Sequence, residues 1–404
     1  MTSRVAGIYS PLLSSGGGAE ATVLRAAQAL DGGGHRVIVF SPGDVDRERL
    51  ERHFGTTLAR IQFVTLPDES ARWASLPVAI RQALLDHRRT RFLRSFRLGL
   101  FVNAAFKSNI PGVGAHNVYY THFPHHLRAA SNQRVRSAYL RSVNVGRRLA
   151  LHPGQSTVMD TYDVVLANSE FTQRNIAARW GRDARVVYPP CEIPETLSQE
   201  PRDKTIVTLG RFQPGSPGIP HKSQATMIRA FREMPDLHHA GWRLVLVGAL
   251  GDDDASQDFF RSLIDCAADS PVEFRPNASR KELECTLNGA SVYWHAQGVD
   301  GDPVRHPETQ EHFGIAVVEA MAHGLVPLVY GSAGPHEIVS RLDPALAWQS
   351  TEELKAITRD VIDGGQRFHS AVETYRAARF FSAERFDRDF LTACDVDPSL
   401  RTRP

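Results

Sequence analysis

The chain has 404 residues, which is long for one domain and sufficient for two. Its hydrophobic content of 42% and charged content of 23% are typical of globular proteins and exclude a disordered chain. The net charge of +2 is too close to neutral to indicate any class of partner.

Targeting signals and cysteine frameworks are not evident in the sequence. No run of about eighteen apolar residues occurs, and positions 1–18 lack the layout of a signal peptide. The four cysteines are scattered and form no CxxC pair; they are Cys191, Cys266, Cys285 and Cys394. We therefore expect a cytoplasmic protein with reduced thiols, without disulfides or a zinc site.

The first predicted elements form a strand, a glycine loop, a helix and a second strand. They lie at 4–10, 16–18, 19–34 and 35–42. This order is typical of the start of a doubly wound α/β domain.

A second series of alternating elements begins after position 204. Strands are predicted at 205–212, 242–250, 291–296 and 326–331, and helices at 224–234, 279–290 and 315–324. Prolines between 186 and 204 interrupt regular structure and mark the joint. The sequence thus predicts two Rossmann-like domains, at 1–195 and 196–375, followed by a segment 376–404 whose helix returns to the first domain.

The candidate binding residues follow predicted strands. Gly17 and Gly18 follow the first strand, whereas Arg211, Lys222, His295 and the segments 311–315 and 331–335 follow strands of the second series. Parallel sheets bind ligands at the carboxyl ends of their strands, so we expect a ligand in a cleft between the two domains.

The stretch EHFGIAVVEAMAHG at 311–324 carries two carboxylates around a glycine turn. A helix that begins near Ile315 would point its free N–H groups at an anion such as a phosphate. Glu311 before the turn and Glu319 inside the helix could then accept hydrogen bonds from sugar or ribose hydroxyls. The alternative is that Glu311 only complements the helix dipole and Glu319 is a solvated surface residue.

This stretch resembles the signature of the family 4 glycosyltransferases, which are retaining enzymes of the GT-B fold. Further matches follow in order along the chain: GGGAE (16–20), THFP (121–124), ANSEFT (167–172), VVYPPC (186–191) and LGRF (209–212) with Lys222. The resemblance covers nearly the whole chain and is greatest to the mannosyltransferases that extend dolichol-linked oligosaccharides.

The resemblance implies a role for each candidate residue. Arg211 and Lys222 would neutralise the diphosphate of a UDP- or GDP-sugar without a metal or other cofactor, although the loop 213–221 makes the spacing between these two residues unusually long. Glu311 would bind the transferred sugar and Glu319 the ribose. The remaining donor contacts would come from backbone amides: Phe313, Gly314 and Ile315 in the second domain, and Gly17 and Gly18 in the first.

His122 matches a histidine that lies beside the anomeric centre in such enzymes. It would stabilise the transition state or orient the acceptor; the alternative is a residue that only caps a turn. Histidines 122, 125 and 126 could also suggest a metal, but their spacing does not fit a helical ligand pair. The resemblance assigns no role to His295. The sequence provides no obvious nucleophile, so the resemblance implies substitution on one face of the sugar.

Two arginine-rich stretches, 81–101 and 134–151, lie in the first domain. Leu85, Phe92, Phe96 and Leu100 fall roughly on one helical face. These stretches could contact the inner face of a membrane peripherally, bind nucleic acid, or be ordinary amphipathic helices with solvated arginines. The lack of stacking aromatics and the near-neutral charge disfavour nucleic acid.

The resemblance leaves the acceptor, the sugar, the nucleotide, the linkage and the oligomeric state open. A hexosyltransferase, with mannose favoured, is the main hypothesis. A non-catalytic nucleotide-sugar or lipid-binding protein of the same descent is one alternative, and a different GT-B enzyme such as a nucleotide-sugar epimerase is another.

Overall fold

The computed structural model describes residues 5–11, 13, 17–68, 70–76, 78–127, 155, 157–215 and 221–394. It divides into two compact units, one formed by residues 1–190 with 384–404 and the other by 191–383. The sequence placed these boundaries a few residues away, at 195 and 375.

Unit 1 is built on a seven-stranded parallel sheet in the order β3-β2-β1-β4-β5-β6-β7. Its strands are β1 (Val5–Tyr9), β2 (Arg36–Ser41), β3 (Gln62–Thr65), β4 (Leu100–Asn103), β5 (His116–Thr121), β6 (Val164–Ala167) and β7 (Arg185–Val186). Within its described residues the helices are α1 (Gly18–Gly32), α2 (Arg47–Phe54), α3 (Val78–Arg94) and α4 (Glu170–Trp180). All the strand pairs are parallel, and the central strands β1, β4 and β5 are almost entirely buried, as expected of a sheet covered on both faces.

Unit 2 repeats this plan with the six-stranded parallel order β10-β9-β8-β11-β12-β13. Its strands are β8 (Thr205–Leu209), β9 (Arg243–Gly248), β10 (Val272–Pro276), β11 (Val292–His295), β12 (Val326–Tyr330) and β13 (Ala347–Trp348). The helices are α5 (Gln224–Arg232), α6 (Pro235–His239), α7 (Asp254–Ala267), α8 (Arg280–Gly289), α9 (Ile315–Ala322), α10 (Ala333–Val339), α11 (Thr351–Ile362) and α12 (Ala371–Ala378). Both strand orders are those of doubly wound folds, so the predicted fold class is confirmed.

The last described helix, α13 (Ala383–Cys394), packs in unit 1. Phe386 and Phe390 are buried in the hydrophobic core that α1 and the sheet also form. Both oxygens of the Asp387 carboxylate accept hydrogen bonds from Arg25 of α1, at 2.6 and 2.7 Å. The chain thus returns to its first unit after completing the second.

The first arginine-rich stretch is not one continuous helix. Helix α3 ends at Arg94, and the chain turns at Arg97, whose φ is 48°, before β4 begins at Leu100. Leu100 therefore belongs to the sheet rather than to the predicted helical face, because the turn breaks the period of 3.6 residues. Phe92 and Phe96, which belong to the predicted apolar face, pack against a core cluster of the unit, so this face points toward the protein interior. The second stretch, 134–151, lies outside the described residues.

Among the described residues, no helix combines the length and the hydropathy that crossing a bilayer requires.

Candidate functional site

The candidate residues of unit 2 gather at one edge of its sheet. Arg211 comes two residues after β8, and His295 is the last residue of β11. Because these strands are parallel, their carboxyl ends meet at the same edge. Lys222 precedes α5, and its Cγ lies 2.6 Å from the position that a Cβ on Gly210 would occupy. Lys222 therefore lies beside the end of β8.

Lys222, Glu311 and His295 form a compact ionic cluster. The Lys222 ammonium donates a hydrogen bond to Oε2 of Glu311, and Nε2 of His295 lies 3.9 Å from the same oxygen. Burial alone would raise the pKa of Glu311, but Lys222 and His295 outweigh it and hold that pKa well below its usual range. Burial lowers the pKa of His295 despite the opposing effect of Glu311. The cluster thus keeps an ionised carboxylate in a partly desolvated place.

Replacing Lys222 by Met is expected to destabilise the protein by about 1–3 kcal/mol at pH 7, because a partly buried carboxylate loses its cation. In the unfolded chain Glu311 titrates near 4.5, above its pKa in the fold. Its ion pair therefore stabilises the wild type above that pH, and the contribution is lost as the pH falls toward the folded pKa. In the variant, burial raises the pKa of Glu311 instead.

The difference in free energy of unfolding between wild type and Lys222→Met should therefore narrow as the pH is lowered from 7 toward 4. Urea denaturation across that range measures it. Lys355→Met is the matched control, since Lys355 pairs at 2.5 Å with Glu233, whose side chain is 60% exposed, and such a pair contributes less than about 1 kcal/mol. If the difference in free energy of unfolding between wild type and Lys222→Met does not change with pH, this account of Glu311 is contradicted.

The turn between Glu311 and α9 requires glycine. Gly314 caps the helix with a φ of 109°, in the region that favours glycine, and α9 begins at Ile315 as predicted. Gly334 of α10 donates its N–H to the carbonyl of Glu311 at 3.1 Å. A Cβ on Gly334 would lie 2.3 Å from the Cα of Phe313, so this approach also depends on glycine. The amides of residues 313–315 are thereby held in one arrangement.

Glu319, on the second turn of α9, is paired with an arginine that the sequence analysis missed. Nη1 of Arg280, the first residue of α8, donates to Oε1 of Glu319 at 2.6 Å. Burial raises the pKa of Glu319, and Arg280 opposes that effect. A serine followed three positions later by glutamate, Ser279 and Glu282, marks the start of α8 in the sequence. No sequence spacing, however, links Arg280 to a residue 39 positions away.

Arg211 is exposed, and within the described part of the chain its guanidinium forms neither a salt bridge nor a hydrogen bond. Its backbone carbonyl accepts a hydrogen bond from Nε2 of Gln224 at 3.0 Å, which fixes the main chain at this point. A positively charged side chain on a fixed backbone, with no intramolecular partner in that part, is suited to an anionic ligand.

The candidate residues of unit 1 lie at its own strand ends. Gly17 caps α1 and donates its N–H to the buried carboxylate of Glu20 at 2.7 Å, and Gly18 begins that helix. His122 follows β5; its Nε2 is buried and has no hydrogen-bond partner among the described residues. Burial lowers the pKa of His122 to about 4, so its ring is neutral near pH 7. Whether these residues converge with those of unit 2 stays a prediction.

The neighbouring histidines differ in their surroundings. His125 is buried and its carbonyl accepts a hydrogen bond from Trp180 Nε1 at 2.7 Å, whereas His126 is exposed. Over the ranges that the structure describes, no group of three or more His, Cys, Asp or Glu side chains is arranged to hold a metal ion.

Two family models match the chain, and they divide it close to the boundary between the units. The model described as Glycosyltransferase Family 4 matches residues 16–193, and the model described as Glycosyl transferases group 1 matches residues 192–372.

Among curated proteins, the chain is similar to mannosyltransferases. It is 32% identical over 189 residues to the GDP-Man:Man(3)GlcNAc(2)-PP-Dol alpha-1,2-mannosyltransferase of Mus musculus, a match that covers 43% of this chain and 35% of the mouse protein. With the Xenopus tropicalis protein of the same description it shares 26% identity over 253 residues, covering 58% of this chain and 48% of that protein. The matches thus span half or less of these relatives' length.

Among solved structures, the chain is similar to an Anabaena protein, HepE, crystallised with UDP and glucose. The TM-score is 0.64 at 16% sequence identity, covering 98% of this chain and all of that one. At this identity the likeness concerns the fold alone, which is GT-B, as the sequence predicted.

Proposed function

The chain belongs to the family 4 glycosyltransferases, and from that premise we propose that it is a retaining hexosyltransferase that uses a nucleotide-diphosphate sugar. The observation that carries the proposal is the ionic cluster of Lys222, Glu311 and His295 at the sheet edge where Arg211 also lies. It combines cations for a diphosphate with an ionised acceptor for sugar hydroxyls.

In the proposed reaction the bond between the anomeric carbon and the phosphate oxygen breaks, and a bond from that carbon to an acceptor hydroxyl oxygen forms on the same face. The acceptor's proton passes to the departing phosphate. Arg211 and Lys222 offset the negative charge that develops on the diphosphate, without a metal. Lys222 has three N–H donors, so it can keep Glu311 as a partner while it contacts a phosphate.

The remaining candidates act on the donor or beside the reacting carbon. Glu319 accepts hydrogen bonds from the ribose hydroxyls, and the amides of residues 313–315 face the sugar and phosphates. Gly18, with Gly17, supplies amides from unit 1. His122, being neutral, acts as a hydrogen-bonding group on the sugar or the acceptor rather than as a cation.

We favour GDP-mannose as donor and a lipid-linked glycan as acceptor. Support comes from the activity for which the mouse and frog relatives are named: transfer of mannose from GDP-mannose, an α-glycoside, into an α-linkage, which implies retention. We further propose a location on the cytoplasmic side, because all four cysteines are free. A peripheral membrane contact would be electrostatic, through exposed arginines of α3 such as Arg91 and Arg94, since its apolar face is packed in the core.

The proposal predicts that one nucleoside diphosphate raises the melting temperature of the protein and that its hexose conjugate is consumed. The test is a thermal-shift comparison of UDP and GDP, followed by incubation of labelled GDP-mannose or UDP-glucose with lipid-linked and alkyl-glycoside acceptors. Retention is read from the anomeric configuration of the product by NMR.

The outcomes separate the competing hypotheses. Binding of a nucleotide-sugar without turnover on any acceptor would favour the non-catalytic alternative. Conversion of the nucleotide-sugar to another nucleotide-sugar, without an acceptor, would favour an epimerase. Absence of binding to both UDP and GDP would overturn the proposal.

A further inference from the structure

We propose that Arg280 is a positioning residue of the nucleotide site, where its guanidinium orients the Glu319 carboxylate toward the ribose hydroxyls. This inference rests on the proposed function, which assigns Glu319 to the ribose. It adds to the site a residue on a different helix and from a different part of the chain.

The contacts of the two side chains fit an orienting role. Nη1 of Arg280 donates to Oε1 of Glu319 at 2.6 Å, and within the described residues this is the hydrogen bond that Glu319 receives. Oε2 therefore remains available to a hydroxyl group. The guanidinium is itself held by Glu284, whose Oε1 accepts from Nε at 2.7 Å, and lies 3.9 Å from Glu192. Glu284 and Glu319 thus accept from two nitrogens of the guanidinium, and we assign Arg280 to holding Glu319 rather than to binding phosphate.

The position of Arg280 is fixed by the start of its helix. Ser279 caps α8: its N–H donates to the carboxylate of Glu282 at 2.7 Å, while its hydroxyl oxygen accepts from the N–H of Glu282 at 3.3 Å. Helix α8 follows β10, so Arg280 lies four residues beyond the carboxyl end of that strand.

The opposite ends of α8 and α9 are also tied to each other. Arg202 donates to the carbonyl of Ala290, after α8, and to the carbonyl of His323, after α9, both at 2.5 Å. Nδ1 of His323 lies 2.7 Å from Oδ1 of Asn288. Links at both ends hold the two helices in register, so the pair of Arg280 and Glu319 is prepared before a ligand arrives.

Arg280 also helps to keep the Glu319 carboxyl ionised. Burial raises the pKa of this carboxyl, and Glu192 and Glu284 act in the same direction, whereas Arg280 opposes them. The buried groups nearby, the Cys191 thiol and the Tyr293 hydroxyl, have raised pKa values and stay neutral. Without Arg280 the carboxyl would therefore take up a proton at a higher pH, which turns one of its two acceptor oxygens into a donor and weakens its binding of hydroxyl groups.

The experiment measures dissociation constants by calorimetry for UDP or GDP, whichever binds, and for its 2′-deoxy counterpart, between pH 5.5 and 8. We expect the wild type to prefer the ribonucleotide by about tenfold or more near neutral pH, with any decline confined to the acidic end of the range because burial raises the pKa of Glu319. In Arg280→Ala the ratio of the two dissociation constants should approach one at low pH, and part of the preference for the ribonucleotide should return as the pH rises. Arg280→Lys should restore much of the wild-type behaviour.

Lys281→Ala is the matched control, because Lys281 is the next residue of α8, is exposed, and loses the same charge. An equal loss of affinity for the ribo and deoxy ligands in Arg280→Ala would show a direct phosphate contact and overturn the inference. The inference would also be overturned if Arg280→Ala kept the wild-type preference and pH profile, or if the wild type bound the ribonucleotide and its 2′-deoxy counterpart equally. If the wild type binds no nucleotide, the proposed function itself fails. Should Arg280→Ala not fold, Arg280→Gln supplies the same comparison.

Discussion

Replacing Glu311 by Gln is expected to reduce glycosyl transfer about 10²–10³-fold while affinity for the bare nucleotide is retained or becomes tighter. The carboxylate is held ionised by Lys222 and His295, and glutamine replaces one of its acceptor oxygens by a donor. The substitution thus removes the acceptor for sugar hydroxyls and the negative charge near the reacting carbon. It also frees Lys222 from its counter-ion, which favours binding of an anionic diphosphate.

The measurements are initial rates with the nucleotide-sugar and dissociation constants for the nucleotide with and without its sugar. The control is Glu308→Gln, since Glu308 lies in the adjacent turn, Pro307–Thr309, with a side chain that is 37% exposed. Wild-type rates in Glu311→Gln would remove Glu311 from the proposed mechanism. Equal weakening of nucleotide and nucleotide-sugar binding would assign it to the phosphates instead of the sugar.

The fold class could be predicted from local patterns because several central strands, among them β1, β8 and β12, are apolar runs buried in their sheets. Segments such as 205–209 and 326–330 are apolar runs bounded by glycine or charge, and the structure has strands at both. The sequence analysis did not identify the central strands β4, β5 and β6 of unit 1, of which β4 and β6 are four residues long. It also did not identify β3 and β7, which are four and two residues long and lie at the edges of that sheet. Short edge strands carry too few residues for alternation or apolar runs to be distinct.

The site was less accessible to sequence reasoning, for a physical reason. Glu311, Gly314 and Glu319 form a local motif whose turn and helix can be read from neighbouring residues. Arg280 begins α8, which leads from β10 to β11, and Glu319 belongs to α9, which precedes β12. Because β11 and β12 are neighbours in the sheet, the strand order brings Arg280 to Glu319. Such a pairing depends on topology rather than on spacing. The pairing of Lys222 with Glu311, 89 positions apart, is of the same kind.

Arg211→Ala is expected to weaken binding of the nucleoside diphosphate about 10- to 150-fold, the loss of a hydrogen-bonded charge contact of about 1.5–3 kcal/mol. The free energy of unfolding should change by less than about 0.5 kcal/mol, because the side chain is exposed and has no ion-pair or hydrogen-bond partner in the described ranges. The affinity of Arg211→Lys for the nucleoside diphosphate should lie between those of the wild type and Arg211→Ala, since lysine keeps the charge but not the planar pair of donors.

The contribution of Arg211 should be confined to phosphate, which calorimetry with the nucleoside alone can test. Affinity for guanosine or uridine should be the same in wild type and Arg211→Ala, so the loss appears only when the diphosphate is present. Arg261→Ala controls for net charge, since Arg261 is an exposed arginine of the same unit, paired with Asp258. If nucleoside binding fell as much as diphosphate binding, Arg211 would shape the site rather than neutralise charge, and Lys222 would be left as the cation for the leaving group.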